Sequence, residues 1–526
     1  MKSFLLLSFL FASSLSCSRF VGMTDQEAFQ EKVVTESGKS SAIVHFSHNI
    51  NGELYPCGCR HFPLGGLPQV AGALAKSRKE NYVLYVDTGD TLFPSTVVPD
   101  ALRDTLLYNA ENLVQGLSSV GLKFFVPGDQ DFAMGEDYLS KVSLKANFTF
   151  LVSNLVESSS IKHKKWATIE LPHLTLYFIG LVDPSIYPGN VQHLFTNPEK
   201  ALQDALAEIP DNKNQKIFLL SHAGMDKDTE WAKKFPRINW VIGAHTQNFL
   251  REPYLEGTTK LVQTLSKNHY LGSIQMDLGS GEESYNLVEI RDELKDELKP
   301  NPFSTFLDQH KAGLREVQTK EQSLLTNANP DQRSVTANNC FQCHADQNEF
   351  WQKTSHSNAF GTLLKGHEEK NTQCVGCHSL KFGEPTGFSK FDDMLVFKDK
   401  KNETRKDEYW KAYLAPFQKI HSVRSMKPEE RSKVAKDISK LDQKFGVTHN
   451  YAGVQCLNCH DQTNSHPFDQ TIKISKEAKK DQIKTNCMNC HTPDQSPEWY
   501  TKNSLNESYF NQKYKTVSCP KRKEYE

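Results

Sequence analysis

From about residue 41 to 280, short apolar runs alternate with longer stretches that are polar on one face. The runs at 42–46, 82–86, 123–126, 148–152, 174–181, 217–220, 240–242 and 261–264 read as strands buried on both sides. Each is short, rich in β-branched or aromatic residues, and bounded by turn-forming residues. The polar stretches between them read as covering helices, so this half is predicted to be layered α/β. Several runs end in turns that carry polar side chains: Asp87-Thr88-Gly89-Asp90, Pro127-Gly128-Asp129, Ser221-His222 and Gly243-Ala244-His245. Loops over such a core are where layered folds place their chemistry. Beyond about residue 286 the pattern becomes charged and amphipathic. Leu307, Leu314 and Val317 share one face of a predicted connecting helix, and 327–334 reads as a linker.

The N-terminus has its own pattern. A short positive start, Met1-Lys2-Ser3, precedes an apolar run over 4–15 that is too short to span a bilayer. It has the length of a secretory signal core. The run ends at Leu15-Ser16-Cys17, which resembles a bacterial lipoprotein signal whose cysteine becomes the lipidated first residue. Cleavage nearby with loss of Cys17 is the other reading. Both imply export to the periplasm or cell envelope. The lipoprotein reading adds an anchor at Cys17, expected in the outer membrane, as the only tie to a membrane. The expected segments are a signal peptide over 1–17 and a tether over 18–40.

Composition narrows the classes. With 526 residues the chain is long for one domain, and its formal charge of −1 offers no case for nucleic-acid binding. Hydrophobic residues make up 38%, low for a soluble protein and incompatible with many membrane spans. The 12 cysteines are the informative count.

Eight of them fall in four pentapeptides: Cys340–His344, Cys374–His378, Cys456–His460 and Cys487–His491, each C-x-x-C-H. This is the attachment sequence of c-type haem. Cys340, Cys343, Cys374, Cys377, Cys456, Cys459, Cys487 and Cys490 would form thioethers. His344, His378, His460 and His491 would be the proximal iron ligands. Two zinc sites are the rival reading, but zinc ribbons do not need a histidine after the second cysteine. Four haems also account for the thin apolar content, because porphyrin faces replace aliphatic core. Five histidines beyond residue 330 remain for distal positions: His356, His367, His421, His449 and His466.

The motif at Cys340 is followed by Trp351, Thr354, His356 and Ala359, and Gly453-Val-Gln-Cys456 is followed by His466. In these strings the region resembles the multihaem cytochromes of the nitrogen-cycle type. The resemblance implies His356, His449 and His466 as distal ligands, with His367 as a solvated loop residue. Relatives often carry a final histidine where this chain has Ser518-Cys519. Cys519 reads either as a haem ligand or as a surface thiol.

The strand-end residues of the first half resemble the 5′-nucleotidase branch of the calcineurin-like metallophosphoesterases. Gly89-Asp90, Gly128-Asp129-Gln130-Asp131-Phe132, Leu220-Ser221-His222 and Gly243-Ala244-His245-Thr246-Gln247 carry it. The family opens with D-x-H, where this chain has His48-Asn49-Ile50-Asn51-Gly52. By the resemblance, Asp90, Asp129, His222 and His245 would hold one divalent ion, of the Zn, Mn or Fe kind. The other site is reduced to Asn49, Asn51, Asp90 and Gln247, and amides are poor ligands for such ions. A metal-free scaffold of hydrogen-bonded strand ends is the alternative. Gln130 stands where the family has its catalytic histidine and cannot serve as a general acid. Nearby Cys57 and Cys59 read as a redox or metal-ligating pair, or as part of a tight loop.

The expected fold is thus a four-layer α/β metallophosphoesterase-like sandwich over 41–285 and a connecting helix and linker over 286–337. A mainly α tetrahaem cytochrome c domain with little regular structure follows over 338–526. The expected function is electron transfer with redox partner proteins. The alternative is a hydrolase or an oxidoreductase acting in the first domain.

Overall fold

The computed structural model describes residues 38–56, 63–99, 102–324, 333–341, 343–420, 422–460, 476–492, 496–501 and 504–520. Cys17, Cys57, Cys59, His421 and His466 lie outside them. The chain divides into two compact units, one of residues 38–98 and 106–312, the other of 99–105 and 313–520. No helix among the described residues is long and apolar enough to cross a membrane.

The first unit is built on two sheets. In order along the chain come β1 (Ser41–Ser47), α1 (Leu67–Arg78), β2 (Tyr82–Asp87), α2 (Arg103–Val120), β3 (Leu122–Phe125) and α3 (Gly135–Lys145). Next are β4 (Thr149–Leu151), β5 (His163–Lys164), β6 (Trp166–Leu171), β7 (Leu174–Val182), α4 (Pro198–Glu208), β8 (Gln215–His222) and α5 (Met225–Lys234). Five elements complete the unit's framework: β9 (Trp240–Ile242), β10 (Tyr254–Glu256), β11 (Thr259–Val262), β12 (Tyr270–Asp277) and β13 (Glu283–Glu289). The seven-stranded sheet runs β13-β12-β1-β2-β3-β4-β5 and the six-stranded sheet β10-β11-β9-β8-β7-β6. Strands β1 to β5 are parallel, as are β7, β8, β9 and β11, while β12, β13, β6 and β10 are antiparallel additions.

The sheets face each other through aromatic side chains, Phe124 of β3 lying 5.0 Å from Phe178 of β7 between ring centroids. They approach closely at Gly180, where an added Cβ would stand 2.0 Å from the Leu151 carbonyl oxygen. Helix α1 packs on β2 and α4 on β7. Leu202, Leu206 and Trp231, from α4 and α5, join Ile179, Leu181 and Leu219 in one buried cluster. The result is the layered α/β arrangement that the alternating pattern predicts, in the helix–sheet–sheet–helix form that the metallophosphoesterase resemblance implies. All eight apolar runs coincide with strands. Strands β5, β6, β10, β12 and β13 were not in that pattern; in β6 (WATIEL) and β13 (ESYNLVE) an exposed face interrupts the apolar run. Pairing with β12 carries β13 to Glu289, past the expected domain end at 285.

Helix α6 (Pro302–Leu324) occupies the expected connecting stretch, with Leu307 and Leu314 buried. The second unit continues with α7 (Ala337–Cys340), α8 (Ala345–Gln352), α9 (Ala359–Gly366), α10 (Thr372–His378), β14 (Leu395–Phe397), α11 (Lys400–Glu403) and α12 (Lys406–Gln418). Then come α13 (Pro428–Phe445), β15 (Val447–Asn450), α14 (Cys456–Cys459), α15 (Lys476–Met488) and α16 (Glu507–Val517). Its core is aromatic: Phe360, Phe388, Tyr409, Trp410, Tyr413, Phe417 and Phe445 share one cluster. Within it, buried Asp442 accepts hydrogen bonds from Tyr409 Oη (2.6 Å), Asn450 Nδ2 (3.0 Å) and Asn338 Nδ2 (2.8 Å), tying α12, α13, β15 and α7 together. Burial pushes its carboxyl up to about 6 despite these donors.

Candidate functional sites

In the first unit the polar residues predicted to carry chemistry meet at the C-terminal ends of parallel strands from both sheets. Asp90 follows β2, Asp129 follows β3, His222 ends β8 and His245 follows β9. This is where open α/β sheets present their sites. One ligand atom from each of these four residues lies within 4.8 Å of the others. His222 Nε2 is 3.1 Å from Asp129 Oδ1 and 3.4 Å from Asp90 Oδ1, and His245 Nδ1 is 3.1 Å from Asp129 Oδ1. Gly128 makes this convergence possible, since a Cβ there would stand 2.4 Å from Asp90 Oδ1 and 2.5 Å from His222 Cε1.

Electrostatics follow from that crowding. Burial disfavours charge on Asp129, but hydrogen bonds from His222 and His245 outweigh it and hold the carboxyl below the usual range. Burial likewise works against an imidazolium at His222. The Asp90 and Asp129 carboxylates reverse this and raise the ring well above its ordinary value. The Nδ1–H of His222 donates to the Thr88 carbonyl at 2.6 Å, which turns Nε2 toward the carboxylates. Two carboxylates and two imidazoles form a donor set that fits a borderline dication such as zinc, manganese or iron.

Asp131, named in the sequence only as part of a motif, is the frame of this site. Buried, it accepts from the backbone N–H groups of Asp90 (2.9 Å), Thr91 (2.9 Å), Leu92 (2.7 Å) and Gly128 (2.7 Å). It thereby locks the loops after β2 and β3 to one another. Asn49, Asn51, Asp90, His245 and Gln247 all adopt left-handed backbone, with φ of 50, 58, 56, 68 and 49°. Such conformations are costly for residues other than glycine, and they cluster at functional sites.

Beside the site, Thr264 joins His48 and Asn49 of the altered opening motif in a hydrogen-bonded chain. The Thr264 N–H donates to His48 Nε2 (3.0 Å), so His48 Nδ1–H donates to Asn49 Oδ1 (2.8 Å). Asn49 is thereby oriented, and its Nδ2–H donates to Asp90 Oδ2 at 2.9 Å. Burial pushes His48 down to about 4, which keeps it neutral in this role. Asn51 Oδ1 and Gln130 Oε1 are buried with no hydrogen-bond partner among the described residues. Tyr187 was missed: its hydroxyl donates to the Pro127 carbonyl (2.7 Å) and its ring packs on His222. Thr264 and His48 are 216 residues apart, so nothing local marks their contact.

In the second unit each C-x-x-C-H segment forms one helical turn. The N–H of His344 donates to Cys340 O (3.1 Å), that of His460 to Cys456 O (2.9 Å) and that of His491 to Cys487 O (2.9 Å). The remaining motif lies within α10. Positions i, i+3 and i+4 share a helix face, so both sulfurs and the imidazole point the same way. His378 Nδ1 meets the Ala359 carbonyl at 2.8 Å, and His491 Nδ1 meets Ser496 Oγ at 2.8 Å. Occupying Nδ1 leaves Nε2 as the ligating nitrogen for an iron. The His491 ring also stacks on Trp499 at 4.1 Å. The turns interact in pairs, the Cys340 thiol with Cys456 and the Cys377 thiol with Cys490. These turns fit thioether-bound haem, with each histidine beside its two cysteines.

Of the distal candidates, His356 lies 6.4 Å from the His491 ring, and burial, aided by charge at His378, lowers its pKa. His449 sits on β15, stacked on Tyr451 at 6.3 Å, with Nδ1 3.2 Å from Thr448 Oγ1. His367 is exposed at the left-handed C-cap of α9. Cys519 is exposed.

Comparison with known proteins gives a class to each unit. A family model described as cytochrome c554 and c-prime matches residues 339–401. The first unit is similar to the metallophosphoesterase YunD of Bacillus subtilis, described as uncharacterized, at 22% identity over 248 residues, 44% of this chain and 51% of the relative. It is also similar to the venom 5′-nucleotidase of Crotalus adamanteus, 26% identical over 201 residues, 35% of this chain and 32% of the relative. The chain thus spans about half the length of the first relative and a third of the second. Among solved structures, a sulfate thiohydrolase SoxB of Thermus thermophilus aligns with a TM-score of 0.42 at 17% identity, covering 52% of this chain and 61% of that one. The N-terminal part therefore has 5′-nucleotidase and calcineurin-like metallophosphoesterase homologues, and the C-terminal part carries a cytochrome c554 match, which implies haem c.

Proposed function

We propose that the protein is an exported c-type cytochrome that carries four haems and transfers electrons, held to the cell envelope by a lipid on Cys17. The observation that carries this is the set of four C-x-x-C-H turns, each closed by its own helical geometry, the first two lying in the stretch 339–401 that matches cytochrome c554 and c-prime. Haem supplies one-electron chemistry when bound. The eight cysteines hold it covalently, the four motif histidines orient it from the proximal side, and His356, His449 and His466 are assigned as distal ligands. Redox proteins of the envelope are the proposed partners. A pyridine haemochrome assay on the mature protein is expected to give four haems per chain; a value near zero would overturn the reading.

For the first unit we propose one divalent metal at Asp90, Asp129, His222 and His245, not the two of a phosphoesterase. The Asn49 amide supports it: its N–H occupies Asp90 Oδ2, the oxygen a second ion would need. A metal supplies Lewis acidity, but turnover of phosphate esters by two-metal chemistry calls for a clamp on both attacking and leaving oxygens. Gln130 offers no acid to protonate a leaving group. The second reading, a hydrolase or redox enzyme acting at this cluster with Cys57 and Cys59, which follow the altered opening motif in sequence, draws on the intact four-residue donor set. Metal analysis followed by assays on nucleotides and model phosphoesters separates the two. Activity abolished by Asp90→Ala would favour the second.

A further inference from the structure

The segment just before the third haem-attachment turn touches the first turn, the second turn and a distal candidate at once. Gly453 N–H donates to the His378 carbonyl (3.1 Å), and Val454 N–H donates to the His356 carbonyl (3.2 Å). The Val454 carbonyl accepts from Trp351 Nε1 (2.9 Å). Just beyond, inside the turn, Asn458 Nδ2 donates to the Ser379 carbonyl at 3.0 Å.

Gln455 is the centre of this arrangement. Its side chain is buried, with 4% of the residue exposed. Oε1 accepts the N–H of Ala337 (2.7 Å), the first residue of the helix that ends in Cys340. Nε2 donates to the carbonyls of Asn450 (2.7 Å) and Ala452 (3.1 Å), which lead into its own turn. One amide therefore spans the gap between the turns that carry Cys340 and Cys456. A hydrocarbon at 455 would leave one N–H and two carbonyls without this partner in a dry interior, which costs enough to move the backbone.

We infer that Gln455 is a positioning residue that sets the spacing and relative orientation of the first and third haems, and through it their redox interaction. This rests on the haem reading above. Hydrogen bonding and geometry around c-type haem are established levers on its potential. Thioether attachment uses only the cysteines, so haem content and positioning are separable.

The test uses the full-length holoprotein and two variants, Gln455→Leu and Gln455→Glu. The second keeps the shape and the acceptor to Ala337 but turns an oxygen toward the Asn450 and Ala452 carbonyls. A potentiometric titration followed by absorbance and EPR reads the four haems in each protein. The expected result is four haems in every variant by pyridine haemochrome, a shift of two of the four midpoint potentials, and an altered EPR signal from that pair. The other two potentials stay in place. If Gln455→Leu does not mature, Gln455→Glu decides by the same readout. Four retained haems with all potentials and EPR signals unchanged would overturn the inference. A wild-type protein without haem would instead overturn the reading on which it rests.

Discussion

The two units bury their interiors and display their polar groups in opposite ways. In the first, apolar strands fill both sheets, and the polar residues gather at strand ends where Asp131 and left-handed backbone hold them in place. In the second, short helical turns carry cysteines that are half-buried or, at Cys343, exposed, beside a core rich in aromatic side chains. There the ligand is expected to be part of the core. The first unit should tolerate loss of its metal, whereas the second should fail without its cofactor.

The sharpest way to break this contrast is to make the chain without haem maturation. Limited proteolysis is expected to degrade the second unit and leave a resistant fragment ending near residue 312. Equal survival of both would show that the aromatic core suffices.

Next in size is the metal. Asp129 faces both His222 and His245, so Asp129→Ala is expected to weaken binding by about 100-fold or more. Calorimetric titration measures it, and haem content should not change. The paired substitution Asn49→Asp with Asn51→His restores the ligand types of a two-metal site and is expected to raise bound metal from one ion to two by elemental analysis.

A smaller effect concerns the sandwich itself. At Gly180 an added methyl meets the Leu151 carbonyl, so Gly180→Ala is expected to cost about 2 kcal/mol in denaturant unfolding of the first unit. The His48 chain comes next: His48→Leu frees the Asn49 amide and is expected to lower metal affinity by about tenfold. Unchanged affinity would remove the chain from the site.

The smallest expected effect is on pH dependence. Burial pushes His45 from its ordinary value of 6.5 down to about 4, with the positive charge of Arg78 adding to it. The unfolded chain therefore takes up the proton first. The stability from a neutral His45 is complete above 6.5 and is lost as pH falls toward 4. Between pH 7.5 and 5.5 the loss is about 1 kcal/mol, and His45→Gln should flatten that slope in thermal unfolding of the first unit.

Much of this molecule is legible in its one-dimensional pattern. Apolar runs identify the central strands because a strand covered on both faces must be apolar throughout. The C-x-x-C-H turns are legible because two cysteines and a histidine fall within one helical turn. Asp90, Asp129, His222 and His245 could be named because they sit in polar turns at or shortly after the ends of buried strands and match the motifs of the metallophosphoesterase resemblance. What the sequence left open is long-range. The partly exposed strands β6, β10 and β13 take their conformation from neighbouring strands, not from their own periodicity. The orientation of Asn49 depends on a backbone N–H at Thr264, and the pairing of Cys340 with Cys456 depends on a chain fold between them. The residue types that can do chemistry were set locally by the sequence. Which atom faces which was decided by tertiary contacts between distant segments, because hydrogen-bond direction and close approach exist only once those segments meet.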